Sequence, residues 1–190
     1  MCIRDRLISA YAVGVIIGAP LMTLWLARFP KKTALILLMA IFTIGNVLAT
    51  VAPDYMSLMG ARLITSLNHG AFFGLGSVVA ASVVPKDKQA SAVAMMFMGL
   101  TIANIGGVPL ATWLSQNTSW RMAFAAISIL GIMTILALWK ALPQDHDMVK
   151  PNVAKELRVL TRAPVVLALL TTVMSAGAMF ALYTYIAPSL

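Results

Sequence analysis

Six long apolar runs alternate with short polar loops along the chain, at residues 7–27, 34–52, 56–84, 90–114, 120–142 and 164–188. Each holds the roughly 20 residues that a helix needs to cross about 30 Å of hydrocarbon. Backbone amides in lipid must be satisfied within their own segment, so such runs predict α-helices and not the alternating strands of a barrel. The expected fold is therefore all-α, with six transmembrane helices.

Composition agrees with the pattern. Hydrophobic residues make up 61% of the chain and charged residues 11%, and the mean hydropathy is +0.91, well outside soluble globular usage. The formal net charge of +8 does not point to nucleic acid, because the basic residues are spread over loops between spans. Three of those loops, 28–33, 85–89 and 143–163, with Lys140 just ahead of the last, hold ten basic residues: Arg28, Lys31, Lys32, Lys86, Lys88, Lys140, Lys150, Lys155, Arg158 and Arg162. The opposite side has Arg4, Arg6 and Arg121. The positive-inside rule places the richer side in the cytoplasm and the protein in the cell (inner) membrane, multi-pass. That orientation leaves Arg4 and Arg6 outside, and residues 1–6 read as a non-native leader. Cys2 is the only cysteine, so an intrachain disulfide framework is excluded.

Polar residues inside the spans narrow the chemistry. Gly14 and Gly18 form a small-xxx-small pair that lets a neighbouring helix approach closely. The second span is plain apart from Asn46. In the third, Arg62, Thr65 or Ser66, and His69 share one helix face. Arg62 lies roughly 10 Å from Asp54 along the axis, so it either snorkels to the interface or faces a watery cavity. His69 is either an interhelical hydrogen-bonding residue or a proton relay. In the fourth span Gly99, Ala103, Gly107, Ala111 and Ser115 recur every four residues, a flat seam for another helix, and Pro109 beside it should bend or loosen the backbone. Asn104 lines a cavity or bonds across helices. Ser119-Trp120-Arg121 reads as an interfacial anchor. In the long loop Asn152 caps a short helix with Val153, Leu157 and Leu160 on one face. The sixth span carries Thr171, Thr172 and Ser175, then Phe180 and Tyr183-Thr184-Tyr185, which are an interfacial belt or a cavity lining. Neither HExxH nor GxSxG occurs, and Asp5, Asp54, Asp87, Asp145, Asp147 and Glu156 all fall outside the spans. No catalytic or metal-binding constellation is present, so the chain is not expected to be an enzyme.

Three stretches, residues 7–20, 62–76 and 99–121, resemble the major facilitator superfamily, in its branch of drug:proton and arabinose-efflux-like antiporters with twelve helices. The resemblance runs over nearly the whole chain and equates the six spans with helices two to seven. It implies a partial major-facilitator bundle: residues 7–142 as five helices of the N-terminal bundle, 143–163 as the cytoplasmic inter-bundle loop, and 164–190 as the first helix of the C-terminal bundle. The family's loop motif falls on Thr23 and residues 27–32. Its basic positions are kept in Arg28, Lys31 and Lys32, which implies a gating role, whereas its two glycines and its aspartate are not kept. Arg62 matches the fourth-helix arginine, implying proton coupling, with His69 as a second candidate. Gly99, Gly107 and Pro109 approximate the antiporter motif, implying a packed, moving seam, although Ala103 and Ala111 stand where stricter members have glycine.

The activity implied is proton-coupled efflux of a small organic solute, drug or sugar-like, by alternating access. It would draw on the proton motive force without a cofactor. Substrate contacts would come from Asn104, Thr172 and Tyr183, and the partners would be that solute and the lipid bilayer, with a monomeric full-length parent. A chain with only helices two to seven would be a fragment, inactive by itself. The rival readings are a non-transporting six-helix scaffold or partner subunit, and a proton-coupled importer of the same fold.

Overall fold

The computed structural model describes residues 2–142 and 162–189, with side chains over 10–142, 162–178 and 181. Among these residues every regular element is helical. In order they are α1 (Cys2–Leu26), α2 (Lys31–Val51), α3 (Tyr55–Ser82), α4 (Gln89–Ile102), α5 (Val108–Asn117), α6 (Trp120–Ala141) and α7 (Ala163–Ser189). α4 and α5 are two halves of one rod, joined by a π-helical segment over Ala103–Gly107. The six rods coincide with the six apolar runs. Those at Lys31–Val51, Tyr55–Ser82, Lys86–Asn117 and Trp120–Ala141 are long and apolar enough to span a membrane, and α1 and α7 add the apolar stretches Ala10–Leu26 and Ala163–Ala178. α1 starts at Cys2, ahead of its apolar run. The helix expected around Asn152, with Val153, Leu157 and Leu160, lies outside the described residues.

Two compact units divide the chain, Met1–Val149 and Lys150–Leu190. In the first, α3 packs on α1 and α2, α2 packs on α6, α4 touches α3 and α5 touches α6. Beside an apolar cluster of Leu26, Ala34, Leu38 and Ala71, many of the buried residues are small or polar, with Thr43, Asn46, Thr65, Ser66, Asn68 and Ser128 all buried, while Ile16, Met56 and Ile105 are more than 70% exposed. Burial of polar side chains beside exposed large apolar ones is expected of helices in lipid. Lipid is as apolar as leucine, so helices associate through close packing and hydrogen bonds, leaving large apolar side chains outward. The buried hydroxyls are satisfied within their own helices, Thr43 Oγ1 donating to Met39 O at 2.7 Å and Ser66 Oγ to Leu63 O at 2.7 Å. Asn68 Nδ2 reaches across to Leu38 O at 2.6 Å, joining α3 to α2.

The disturbance expected at Pro109 is found just before it. Proline has no N–H and its ring collides with the carbonyl four residues back. The wider π winding at Ala103–Gly107 relieves that collision without ending the rod.

A capping box starts α3: Asp54 Oδ1 accepts the Ser57 backbone N–H at 3.2 Å, the Ser57 hydroxyl donates to the same carboxylate, and the Asp54 N–H donates to Ser57 Oγ at 3.3 Å. The Ser57 hydroxyl, and then its backbone N–H, hold the Asp54 carboxyl below the usual carboxylate range. A depressed folded-state value means the cap contributes fully above the ordinary pKa of about 3.9 and is lost as pH falls through the lower folded value. Amide exchange at Ser57 and Leu58 should accordingly speed up below about pH 4. An Asp54→Asn variant, which still caps but does not titrate, should show no such change. An acid response equal in both would remove Asp54 as its source.

Candidate functional site

The polar face predicted on α3 meets α1 through a glycine contact. A side chain at Gly18 would run into the backbone of Leu67, and one at Gly14 into the Ser66 hydroxyl. This close approach brings Tyr11, on the same face of α1 as Gly14 and Gly18, against Arg62 and His69 of α3. The Tyr11 hydroxyl is 3.2 Å from His69 Nδ1, the donor depending on the imidazole tautomer. The Arg62 guanidinium carbon stands 4.6 Å from the centre of the Tyr11 ring and 5.8 Å from that of Phe124 on α6. Tyr11 therefore touches both residues predicted to matter, through its face and through its hydroxyl.

From His69 a run of rings continues. Phe73 packs edge-on against His69 with centroids 5.2 Å apart, and Phe97 of α4 stacks on Phe73 at 5.8 Å with only 12° between the planes. His69 also lines a cavity of about 190 Å³ between α2 and α3, whose other walls are apolar apart from Asn68. Asn68 is 2% exposed and its Oδ1 has no hydrogen-bond partner among the described residues.

The other sequence-predicted residues are placed as follows. Asn104 does not bond across helices: its Nδ2 donates to Leu100 O of its own rod at 3.1 Å, within the π-wound stretch that shifts carbonyls out of register. Gly99 and Gly107 are exposed, with no described atom where a β-carbon's neighbour would be, so no described helix packs on the seam at these two positions, while Ala111 and Ser115 further along it are half-buried. The contacts of α4 with α3 run instead through Met96, against Gly76, and Phe97. Thr172 is exposed and its hydroxyl donates to Ala168 O at 2.9 Å. The side chain of Tyr183 lies outside the described set.

Of the three basic residues in the α1–α2 turn, Arg28 is exposed and Lys31 half-buried. Lys32 Nζ donates to Trp139 O at 2.7 Å and to Leu142 O at 2.5 Å, at the end of α6. At the other end of the same pair Arg121 Nη2 donates to Ala52 O at 2.7 Å, and its guanidinium lies 4.4 Å from the centre of the Trp120 ring. Sequence reasoning missed Tyr11, Phe124 and these two caps. For Tyr11 a signal existed, its i, i+3, i+7 register with Gly14 and Gly18. Phe124 and the caps depend on tertiary register and have no local signature.

The Major Facilitator Superfamily profile matches residues 7–190. Over 184 residues the chain is 66% identical to the inner membrane transport protein YdhP of Escherichia coli, a match covering 97% of this chain and 47% of that protein. It is 35% identical over 183 residues to the putative transporter AraJ of the same organism, covering 96% and 46%. A probable sugar efflux transporter of Helicobacter pylori is 27% identical over 183 residues, covering 96% and 46%. The chain thus spans about half the length of the curated relatives it matches.

Proposed function

The chain belongs to the Major Facilitator Superfamily, and from that premise we propose that it is the larger part of one half of a secondary transporter that exports a small organic solute in exchange for protons. The observation that carries this reading is the Arg62–Tyr11–His69 cluster. A membrane-spanning helix rarely keeps an arginine and a histidine on one face without using them. Here a single tyrosine contacts both, so a change at the imidazole is felt at the guanidinium through one rigid ring. Export is favoured over import by the likeness to a relative whose name specifies efflux. On this reading the loops 28–33, 85–89 and 143–163 face the cytoplasm, and Arg28, Lys31 and Lys32 belong to the gating surface there. Asn104, Thr172 and Tyr183 contribute to the solute path. Gly99, Gly107 and Pro109 belong to a seam that moves during the cycle, a role suited to the uncovered π-wound stretch.

The test is proton-driven efflux by the complete gene product in everted vesicles, comparing the parent with Arg62→Ala. Coupled efflux should fall at least tenfold, which corresponds to about 1.4 kcal/mol. His69→Gln should alter the pH profile of transport while leaving a gradient-independent leak unchanged. Coupling that is unchanged in Arg62→Ala would take Arg62 out of the mechanism.

A further inference from the structure

Arg62 places a cationic guanidinium in a bundle of membrane-spanning helices. It lies seven residues past Tyr55, the first residue of α3, or about 10 Å along the axis. A charge at that depth is costly and is normally balanced by a partner. Among the described side chains the only acids are Asp54 and Asp87. Asp54 is committed to the α3 cap, and Asp87 sits in the short turn of Lys86–Lys88.

What holds Arg62 is a pair of rings, Tyr11 from α1 and Phe124 from α6. Rings attract the flat face of a guanidinium. A ring contact does not use up the N–H donors of the guanidinium. No described residue accepts a hydrogen bond from the Arg62 guanidinium. A flat fork of donors between two rings, with no described acceptor, is matched by the two coplanar oxygens of a carboxylate. The surroundings say what the rest of the ligand is. Tyr11, His69, Phe73 and Phe97 follow one another at centroid spacings of 6.0, 5.2 and 5.8 Å, the first two contacts edge-on and the last stacked, an aromatic run whose ring edges and faces suit contact with a further ring.

We infer that Arg62 anchors an anion site whose ligand is a small aromatic carboxylate, carried as the transporter's solute. The word solute rests on the transport reading above; the anion site itself does not. The probe is benzoate, with benzamide as its neutral isostere, titrated against the chain in nanodiscs of zwitterionic lipid at pH 7. Benzoate should bind at least ten times more tightly than benzamide. Arg62→Gln, which removes a costly intramembrane charge and so should fold, is expected to abolish that preference. Arg62→Lys should lose most of it, since an ammonium lacks the fork, and Tyr11→Leu should weaken it several-fold with the charge still present. Helical circular dichroism and melting confirm that each variant is folded.

Equal binding of benzoate and benzamide, or a preference that survives in Arg62→Gln, would overturn the anion site. Repeating the titration on the complete gene product separates the two sources of a carboxylate. Binding retained there supports a free solute, and binding lost there means that a carboxyl side chain of the protein already holds Arg62, which overturns the solute half. Benzoate binding by a gene product that moves no solute would sink the transport reading and leave the anion site standing.

Discussion

Replacing Gly18 with leucine is expected to lower the stability of the bundle by about 3 kcal/mol, the upper end of what overpacking costs. A β-carbon at Gly18 would lie 2.5 Å from Leu67 O and 2.8 Å from its carbonyl carbon. Both are backbone atoms of a continuous helix and cannot rotate away, so α1 must lift off α3. At Gly14 the obstacle is the Ser66 hydroxyl, which can rotate, and Gly14→Ala should cost less. Gly99→Ala and Gly107→Ala make the contrast: neither meets an atom within 4 Å. In this chain they should be neutral or gain up to about 1 kcal/mol, since alanine is the better helix former. Unfolding in mild detergent, followed by far-ultraviolet circular dichroism, measures all four. The Gly18→Leu variant should also lose benzoate preference, because Tyr11 rides on the displaced helix. A Gly18→Leu chain as stable as its parent would mean that α1 does not lie on α3 through this face.

The same contrast shows what was legible from the residues. All six rods could be read from apolar runs, because in lipid the length of a run and the need to close its own hydrogen bonds leave one solution. Gly14 and Gly18 could be read as a contact from their small-xxx-small spacing, and the structure puts α3 there. The more conspicuous small-residue row, from Gly99 to Ser115, packs on no described helix at Gly99 or Gly107. Small residues permit an approach without stating which helix makes it. Other close approaches are at Gly45, against Thr65, and Gly131, against Thr43, single glycines with no periodic partner to mark them. Arg62 and His69 stood out because ionisable groups are rare in spans. Their connection through Tyr11 did not, since a tyrosine in an apolar run looks like any other lipid-facing aromatic until the facing helix is known. Asn104 was open between two roles, and a π-wound stretch gave its amide a partner in its own rod.

Removing both end caps of the α2–α6 pair should cost about 2–4 kcal/mol, about 1–2 from each, as for hydrogen bonds to charged groups at partly buried helix C-termini. Lys32 sits in the first turn of α2 and donates to carbonyls at the end of α6, while Arg121 sits in the first turn of α6 and donates to Ala52 at the end of α2. The two helices are therefore antiparallel, and each supplies a cation to the unsatisfied carbonyls of the other. Lys32→Met and Arg121→Met remove the charges and keep much of the side-chain bulk. The sites are about 30 Å apart by helical rise, so their costs should add within about 0.5 kcal/mol. Denaturant unfolding of the two single variants and the double one tests this. A double variant no worse than either single would mean that losing one cap already frees the other end, and that the pair is held as a unit and not end by end. Lys32→Arg should keep most of the stability, because a guanidinium can also bridge two carbonyls. Arg121→Lys should keep less, because it gives up much of the stacking on Trp120. The order of these two conservative variants is the sharpest check, since it follows from the different geometry of the two caps and not from charge alone.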